Sequence, residues 1–175
     1  WGFYIEDKTF GLDEIVADIT VSHQQGRCSV AYIDYLQLVT SPSGRQDTEE
    51  RRISGITRRL KLLAKSLDIP VVLLAQLNRD NVKDGRDPAL QDLRGSGSIE
   101  QDSDRVIFLS PRLAVDGERF ISMCIGKNRE GGRAGDSVLL RPNETYSAFE
   151  EMPGADIPTH AEKRKEELWE KELSR

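Results

Sequence analysis

Two apolar runs, Cys28–Ile33 and Val71–Ala75, flank the strongest helix pattern in the chain, and this order constrains the fold more than any other feature. Between them Ile53, Ile56, Leu60, Leu63 and Leu67 recur at steps of three and four. That spacing lines one stripe of a helix. Arg51, Arg52, Arg58, Arg59, Lys61 and Lys65 populate its other faces. Asp68-Ile69-Pro70 ends the helix, because proline cannot continue it and restricts the residue before it. Strand, helix and strand in this order make a βαβ unit with parallel strands. Nearly unbroken apolar runs suit strands covered on both faces.

The remaining elements follow from pattern and punctuation. Trp1–Ile5 predicts a short strand, and Leu12, Ile15, Val16 and Ile19 predict a helix. Thr40–Asp47 and Asn78–Asp92 are polar and carry Pro and Gly, so they predict loops. A short helix is expected over Ser98–Asp102, and strands over Arg105–Leu109, Phe120–Ile125, Ser137–Leu140 and Tyr146–Phe149. The expected organisation is one α/β domain over residues 1–149, a Pro- and Gly-bearing linker over 150–158, and a charged helix over 159–175. Thr159 and Glu162 fit a capping box at the start of that helix. The helix alternates in charge, with Leu168, Trp169 and Leu173 as its few apolar anchors. It is either a solvated helix or a docking element.

Composition sets limits. The chain has 175 residues, enough for one domain with a core, and its formal net charge is −5. That sign argues against indiscriminate nucleic-acid binding, although local patches outweigh the total. Cys28 and Cys124 lie in apolar runs with no CxxC or Cys/His neighbour, so both are expected as buried thiols in a reducing compartment. No apolar run approaches the roughly 20 residues that cross a bilayer, and no signal-peptide pattern is present. A soluble, cytoplasmic protein with no membrane partner is expected. The first residue is Trp1 rather than Met, so the chain is expected to be a piece of a longer protein.

Four stretches carry candidate chemistry. Asp34 follows the first apolar strand, at the carboxyl end of a parallel pair, where ligands bind in open α/β folds. It is either a strand-end residue capping a turn or a carboxylate that helps hold Mg²⁺ beside nucleotide phosphates. Gln76 repeats the layout on the second strand, and a neutral amide there can donate to a phosphate or orient a water. In Arg94-Gly95-Ser96-Gly97, exposed backbone N–H groups and an arginine suit a phosphate, though a plain glycine turn with a serine cap accounts for the same residues. Lys127 and Arg129 follow a strand into a Gly-rich turn, which suits either a basic turn or an arginine finger reaching a neighbouring subunit's phosphate. Gly126-Lys127 is not a phosphate loop, because Ile121 and Asn128 stand where that loop needs Gly and Ser or Thr.

In this order, Ile33-Asp-Tyr-Leu-Gln-Leu38, Ala75-Gln-Leu-Asn-Arg79, Leu93-Arg-Gly-Ser-Gly-Ser-Ile-Glu-Gln-Asp102 and Ile125-Gly-Lys-Asn-Arg129 resemble the C-terminal RecA-like motor domain of the DnaB-type replicative DNA helicases, over roughly residues 3 to 149. The resemblance implies a mainly parallel sheet flanked by helices, with an antiparallel C-terminal strand region. It implies an ATP- and Mg²⁺-dependent hexameric ring that translocates on single-stranded DNA and unwinds duplex. Implied partners are single-stranded DNA, other copies of the chain, and a helicase loader, primase or polymerase-clamp machinery. Asp34 resembles the Walker B aspartate, acting on Mg²⁺ through water. Gln76 resembles the glutamine that couples the phosphate state to the DNA loops. Arg94, Gly95 and Gly97 fall on the DNA-contacting loop, and Lys127 and Arg129 on the pair that enters the neighbour's ATP site. Many bacterial members have Glu where this chain has Gly95, so a side-chain contribution is absent there while the backbone amide remains. Two alternatives stand beside this: a non-catalytic DNA- or protein-binding module, and a RecA- or RadA-like recombination ATPase.

The family's phosphate-binding loop and the glutamate that activates water lie upstream of the matched region. The 175-residue chain alone is therefore expected to show no steady-state ATP turnover above background. A coupled phosphate-release assay checks this, and turnover that Asp34→Asn abolishes overturns it.

Overall fold

The computed structural model describes residues 2–41, 48–77, 88–93, 96–113, 119–131, 135–145 and 147–152. In chain order the elements are α1 (Leu12–Gln24), β1 (Ala31–Ile33), α2 (Glu49–Leu67), β2 (Val71–Leu73), α3 (Ser96–Asp102), β3 (Arg105–Leu113), β4 (Arg119–Asn128), β5 (Ser137–Pro142) and β6 (Phe149–Glu151). Turns of 3₁₀ helix lie at Leu36–Leu38 and Leu90–Asp92. Two units divide the chain: Trp1–Gln76 with Leu93–Ser103, and Leu77–Asp92 with Asp104–Arg175.

The first unit is built on α2. Thr48 caps its start by accepting a hydrogen bond from the Arg51 N–H, and Glu49 and Glu50 complement the positive end of the helix dipole. Arg52 donates to both carboxylate oxygens of Glu49, each at 2.8 Å, and also to the Val39 carbonyl. At the other end Asp68 adopts a left-handed conformation (φ 53°) and its N–H returns to the Ala64 carbonyl. Ile53, Ile56, Leu60 and Leu63 are buried, as the periodicity predicts. Through them α2 packs on α1, α3 and β2.

Strands β1 and β2 pair in parallel, with Ala31 opposite Val71, Tyr32 opposite Val72 and Ile33 opposite Leu73. The regular strands are shorter than the apolar runs that announced them. Only one face of the pair is covered. Ala31 and Ile33 are buried, whereas Tyr32 is 66 % exposed and Val72 and Leu74 are exposed beside it. Of the two faces expected to be buried, this chain covers one: alternation along a strand sends successive side chains to opposite faces, and α2 packs on one. A correction concerns the first residues. Phe3, Tyr4 and Ile5 form no strand and are exposed.

The second unit is an antiparallel sheet in the order β3-β4-β5-β6. In β3, Val106 and Phe108 are buried while Ile107 and Leu109 are exposed, so the sheet has one dry face. The β3–β4 register shifts once. Ile107 pairs with Ile125 but Val106 pairs with Lys127, which leaves Gly126 as the extra residue of a β-bulge. A β-carbon on Gly126 would overlap the Phe108 ring, which is itself 3 % exposed. Strand β4 runs on to Asn128, so Lys127 lies inside the strand rather than after it. Glu150 and Glu151, expected to begin a linker, pair with Arg141 and Leu140 in β6. Tyr146, residues 153–158 of the expected linker and the expected helix over 159–175 lie outside the described residues.

Cys28 and Cys124 are free and half-buried rather than fully buried core thiols. Among the described residues no helix is long and apolar enough to cross a membrane.

Gly126→Ala is expected to destabilise the protein by about 1–3 kcal/mol, the usual cost of forcing extra volume into a packed core. Denaturant unfolding checks this. Adding Phe108→Leu to Gly126→Ala is expected to recover part of the loss, since the clash is with the ring.

Candidate functional site

In the first unit the parallel pair brings Asp34 and Gln76 to one rim. Asp34 follows β1 directly, and its carboxylate is exposed. The Asp34–Tyr35 peptide is cis. The Leu74 N–H donates to the Ile33 carbonyl at 3.0 Å, and the Leu36 N–H donates to the Leu74 carbonyl at 2.8 Å, so the ladder continues past both strand ends. Gln76 is exposed two residues further on. Its backbone N–H donates to Gln37 Oε1 at 3.4 Å. Gln37 was not singled out by the sequence, because nothing local marks a glutamine inside a 3₁₀ turn as a bridge to a residue 39 positions away. The rim therefore holds one carboxylate and two amides.

A lone exposed carboxylate does not make a protein cage for a metal, and no group of three or more His, Cys, Asp or Glu residues converges among the described residues. It does suit Mg²⁺, a hard cation that keeps several waters and takes substrate phosphate oxygens beside one or two carboxylates.

The glycine-rich stretch lies partly outside the described residues: Arg94 and Gly95 are not among them. Gly97 is exposed in the first turn of α3, and a β-carbon there would meet nothing within 4 Å. Glycine in a helix costs about 1 kcal/mol relative to alanine. The fold has no steric need for a glycine there, as is also true of Gly55 within α2. Helix α3 is fixed at its far end. Asp102 Oδ2 accepts from Thr57 Oγ1 at 2.7 Å, and Arg58 Nη1 lies 3.7 Å from Asp102 Oδ1.

In the second unit Lys127 and Arg129 sit at the open end of the β3–β4 hairpin. The Arg129 N–H donates to the Asp104 carbonyl at 2.9 Å, extending the ladder beyond the strands. Its guanidinium donates through Nη1 to Asp104 Oδ1 at 3.1 Å. Arg105 pairs with Glu130 across the same end at 3.2 Å. Both ion pairs are about half-exposed or more, so each is worth little and is readily exchanged for another anion. The bulge decides where the cations point. Since Val106 faces Lys127 and Asp104 faces Arg129, both cations share the face of Val106 and Phe108. An unbulged ladder would turn them to the opposite face. A glycine inside a strand is the sequence signal for such a bulge.

A protein-family model, the DnaB-like helicase C terminal domain, matches residues 1–151. A probable plasmid replicative DNA helicase of Chlamydia trachomatis is 39 % identical over 132 residues, covering 74 % of this chain and 28 % of that protein. One solved ATPase domain superposes with a TM-score of 0.69 at 31 % identity, covering 81 % of this chain and 52 % of that one. A DnaB-like replicative helicase, solved in a study of its interactions with primase, superposes with a TM-score of 0.71 at 30 % identity, covering 83 % of this chain and 36 % of that one. The chain thus spans under a third of that Chlamydia relative and about half of the solved ATPase domain. With the RecA-like fold and the family model in agreement over most of its length, the chain belongs to the DnaB-like helicase C-terminal domain family.

Proposed function

We propose that this chain forms part of a hexameric, ATP-driven replicative helicase, in which it senses the nucleotide's phosphate, touches single-stranded DNA and reaches into a neighbouring subunit. The observation that carries the proposal is the shared rim of Asp34, Gln37 and Gln76 at the carboxyl ends of two adjacent parallel strands. Asp34 would support Mg²⁺ through water, and the ion would neutralise charge on the nucleotide phosphates. Gln76 would donate an amide N–H to the terminal phosphate. With the Gln76 backbone tied to Gln37, a change at the phosphate is felt by both amides.

Arg94, Gly95 and Gly97 would contact the DNA backbone. Main-chain donors and one arginine on phosphate bind without reading bases, as a translocating motor requires. Lys127 and Arg129 would complete the ATP site of the next subunit, so turnover would depend on assembly. The Arg129–Asp104 pair is consistent with that task, because a half-exposed ion pair is readily traded for a phosphate. A primase is the proposed partner class, by likeness to the solved relative studied with primase. The proposed place of action is the cytoplasm.

In the complete protein, Arg129→Ala is expected to lower ATP turnover by roughly a thousandfold or more, as loss of an arginine finger does, with DNA binding mostly retained. Wild-type turnover would remove the finger assignment. Arg94→Ala is expected to weaken single-stranded DNA binding and to flatten its salt dependence by about one phosphate contact. Fluorescence anisotropy across a salt series checks this, and an unchanged affinity and slope count against the loop assignment.

A further inference from the structure

We infer that Thr57 and Asp102 are positioning residues, whose hydrogen bond ties α3, the helix carrying Gly97, to α2 of the βαβ unit that bears Asp34 and Gln76. The premise is that Gly97, in the first turn of α3, contacts DNA, as proposed above. Helix α3 has seven residues, too few to hold itself in water, so its orientation comes from what it packs on. Its packing is with α2. Ile99 is the buried apolar residue of α3. The polar part is the 2.7 Å bond between Thr57 Oγ1 and Asp102 Oδ2, spanning 45 positions of sequence.

Three features make this bond a constraint rather than a chance contact. Thr57 is a buried polar residue on the apolar stripe of α2, between Ile56 and Leu60. Its one hydroxyl hydrogen has two acceptors in reach, the Ser54 carbonyl at 3.3 Å and Asp102 Oδ2 at 2.7 Å, and the shorter, charge-assisted contact is the stronger. Asp102 is the last residue of α3, where the helix dipole disfavours a carboxylate, so it needs a donor from elsewhere. The Asp102 side chain is 14 % exposed, whereas that of Arg58 is 67 % exposed. The exposed arginine at 3.7 Å holds the carboxylate weakly, and the Thr57 hydroxyl holds it closely.

The same helix α2 connects β1 to β2. A pin on α2 therefore sets α3 relative to the two strands whose ends form the rim. Thr57 is buried, so its hydroxyl is withheld from solvent. Its removal changes the DNA response and spares turnover measured without DNA.

The test compares Thr57→Val with Thr57→Ser in the complete, assembled protein. Valine keeps the shape and deletes the donor, while serine keeps the donor. Two readouts are taken: affinity for single-stranded oligonucleotide, and the ratio of ATP turnover with DNA to turnover without it. Thr57→Val is expected to lose about tenfold in affinity, the scale of one hydrogen bond to a charged group, and to lower the ratio. Thr57→Ser is expected to restore both. A merely structural role would lower turnover without DNA as well and leave the ratio in place.

Wild-type affinity and ratio in Thr57→Val overturn the inference. Arg94→Ala, measured alongside, separates the two levels. If Arg94→Ala weakens DNA binding while Thr57→Val does not, the pin fails and the loop stands. If neither weakens it, the loop itself fails. Should Thr57→Val not assemble, Asp102→Asn takes its place: it keeps an acceptor oxygen and loses the charge. A smaller loss in the same two readouts is expected there, and wild-type values overturn the inference.

Discussion

The first unit depends on burial of one stripe of α2. Ile53, Ile56, Leu60 and Leu63 are withdrawn from water on a helix whose remaining faces are rich in arginine and lysine. Burying each such side chain contributes about 1.5–3 kcal/mol. Among the described residues no other helix of the unit has a comparable stripe: α1 has one buried residue, and α3 has seven residues in all. Both lean on α2, and so does β2. The functional consequence is positional. Asp34 and Gln76 stand on strand ends that α2 connects, and Gly97 stands on a helix that α2 holds.

The second unit obtains its order differently, from register. Four antiparallel strands fix one another by backbone pairing, and the β3–β4 register shift lies beside the two cations. Phe108 packs where Gly126 has no side chain, so the bulge and the buried ring specify each other. Asp104, Arg105, Arg129 and Glu130 then close the end of the hairpin with two crosswise pairs. These pairs add little stability, but they keep opposite charges opposite one another across the ladder.

Much of this was legible in the sequence, for reasons that can be named. The stripe of α2 shows itself because a helix repeats its buried face every three to four residues. Asp34 and Gln76 are legible because each ends an apolar run. The extent of burial was less legible. Val30, Tyr32, Val72 and Leu74 are apolar and face solvent in this chain, which spans about half of the solved ATPase domain it superposes on. The Thr57–Asp102 bond was not legible at all. A threonine within an amphipathic stripe and an aspartate at a helix end have no local signature that joins them across 45 positions. The bulge lay between: Gly126 was visible, but as a residue in a rejected phosphate-loop pattern rather than as a shift in pairing.

That shift bears on how lineages of this domain can vary in length. Loops tolerate insertions and deletions, because spacing there is slack. Strand β4 has no such slack near Gly126. Loss of one residue would send Lys127 and Arg129 to the other side of the sheet, with every atom of both side chains still present. Loss of two would bring them back to the original side but draw them about 7 Å along the strand. The hairpin end is thus a ruler as well as a support, and evolutionary changes of length should collect in the connections on either side of β4 rather than within it.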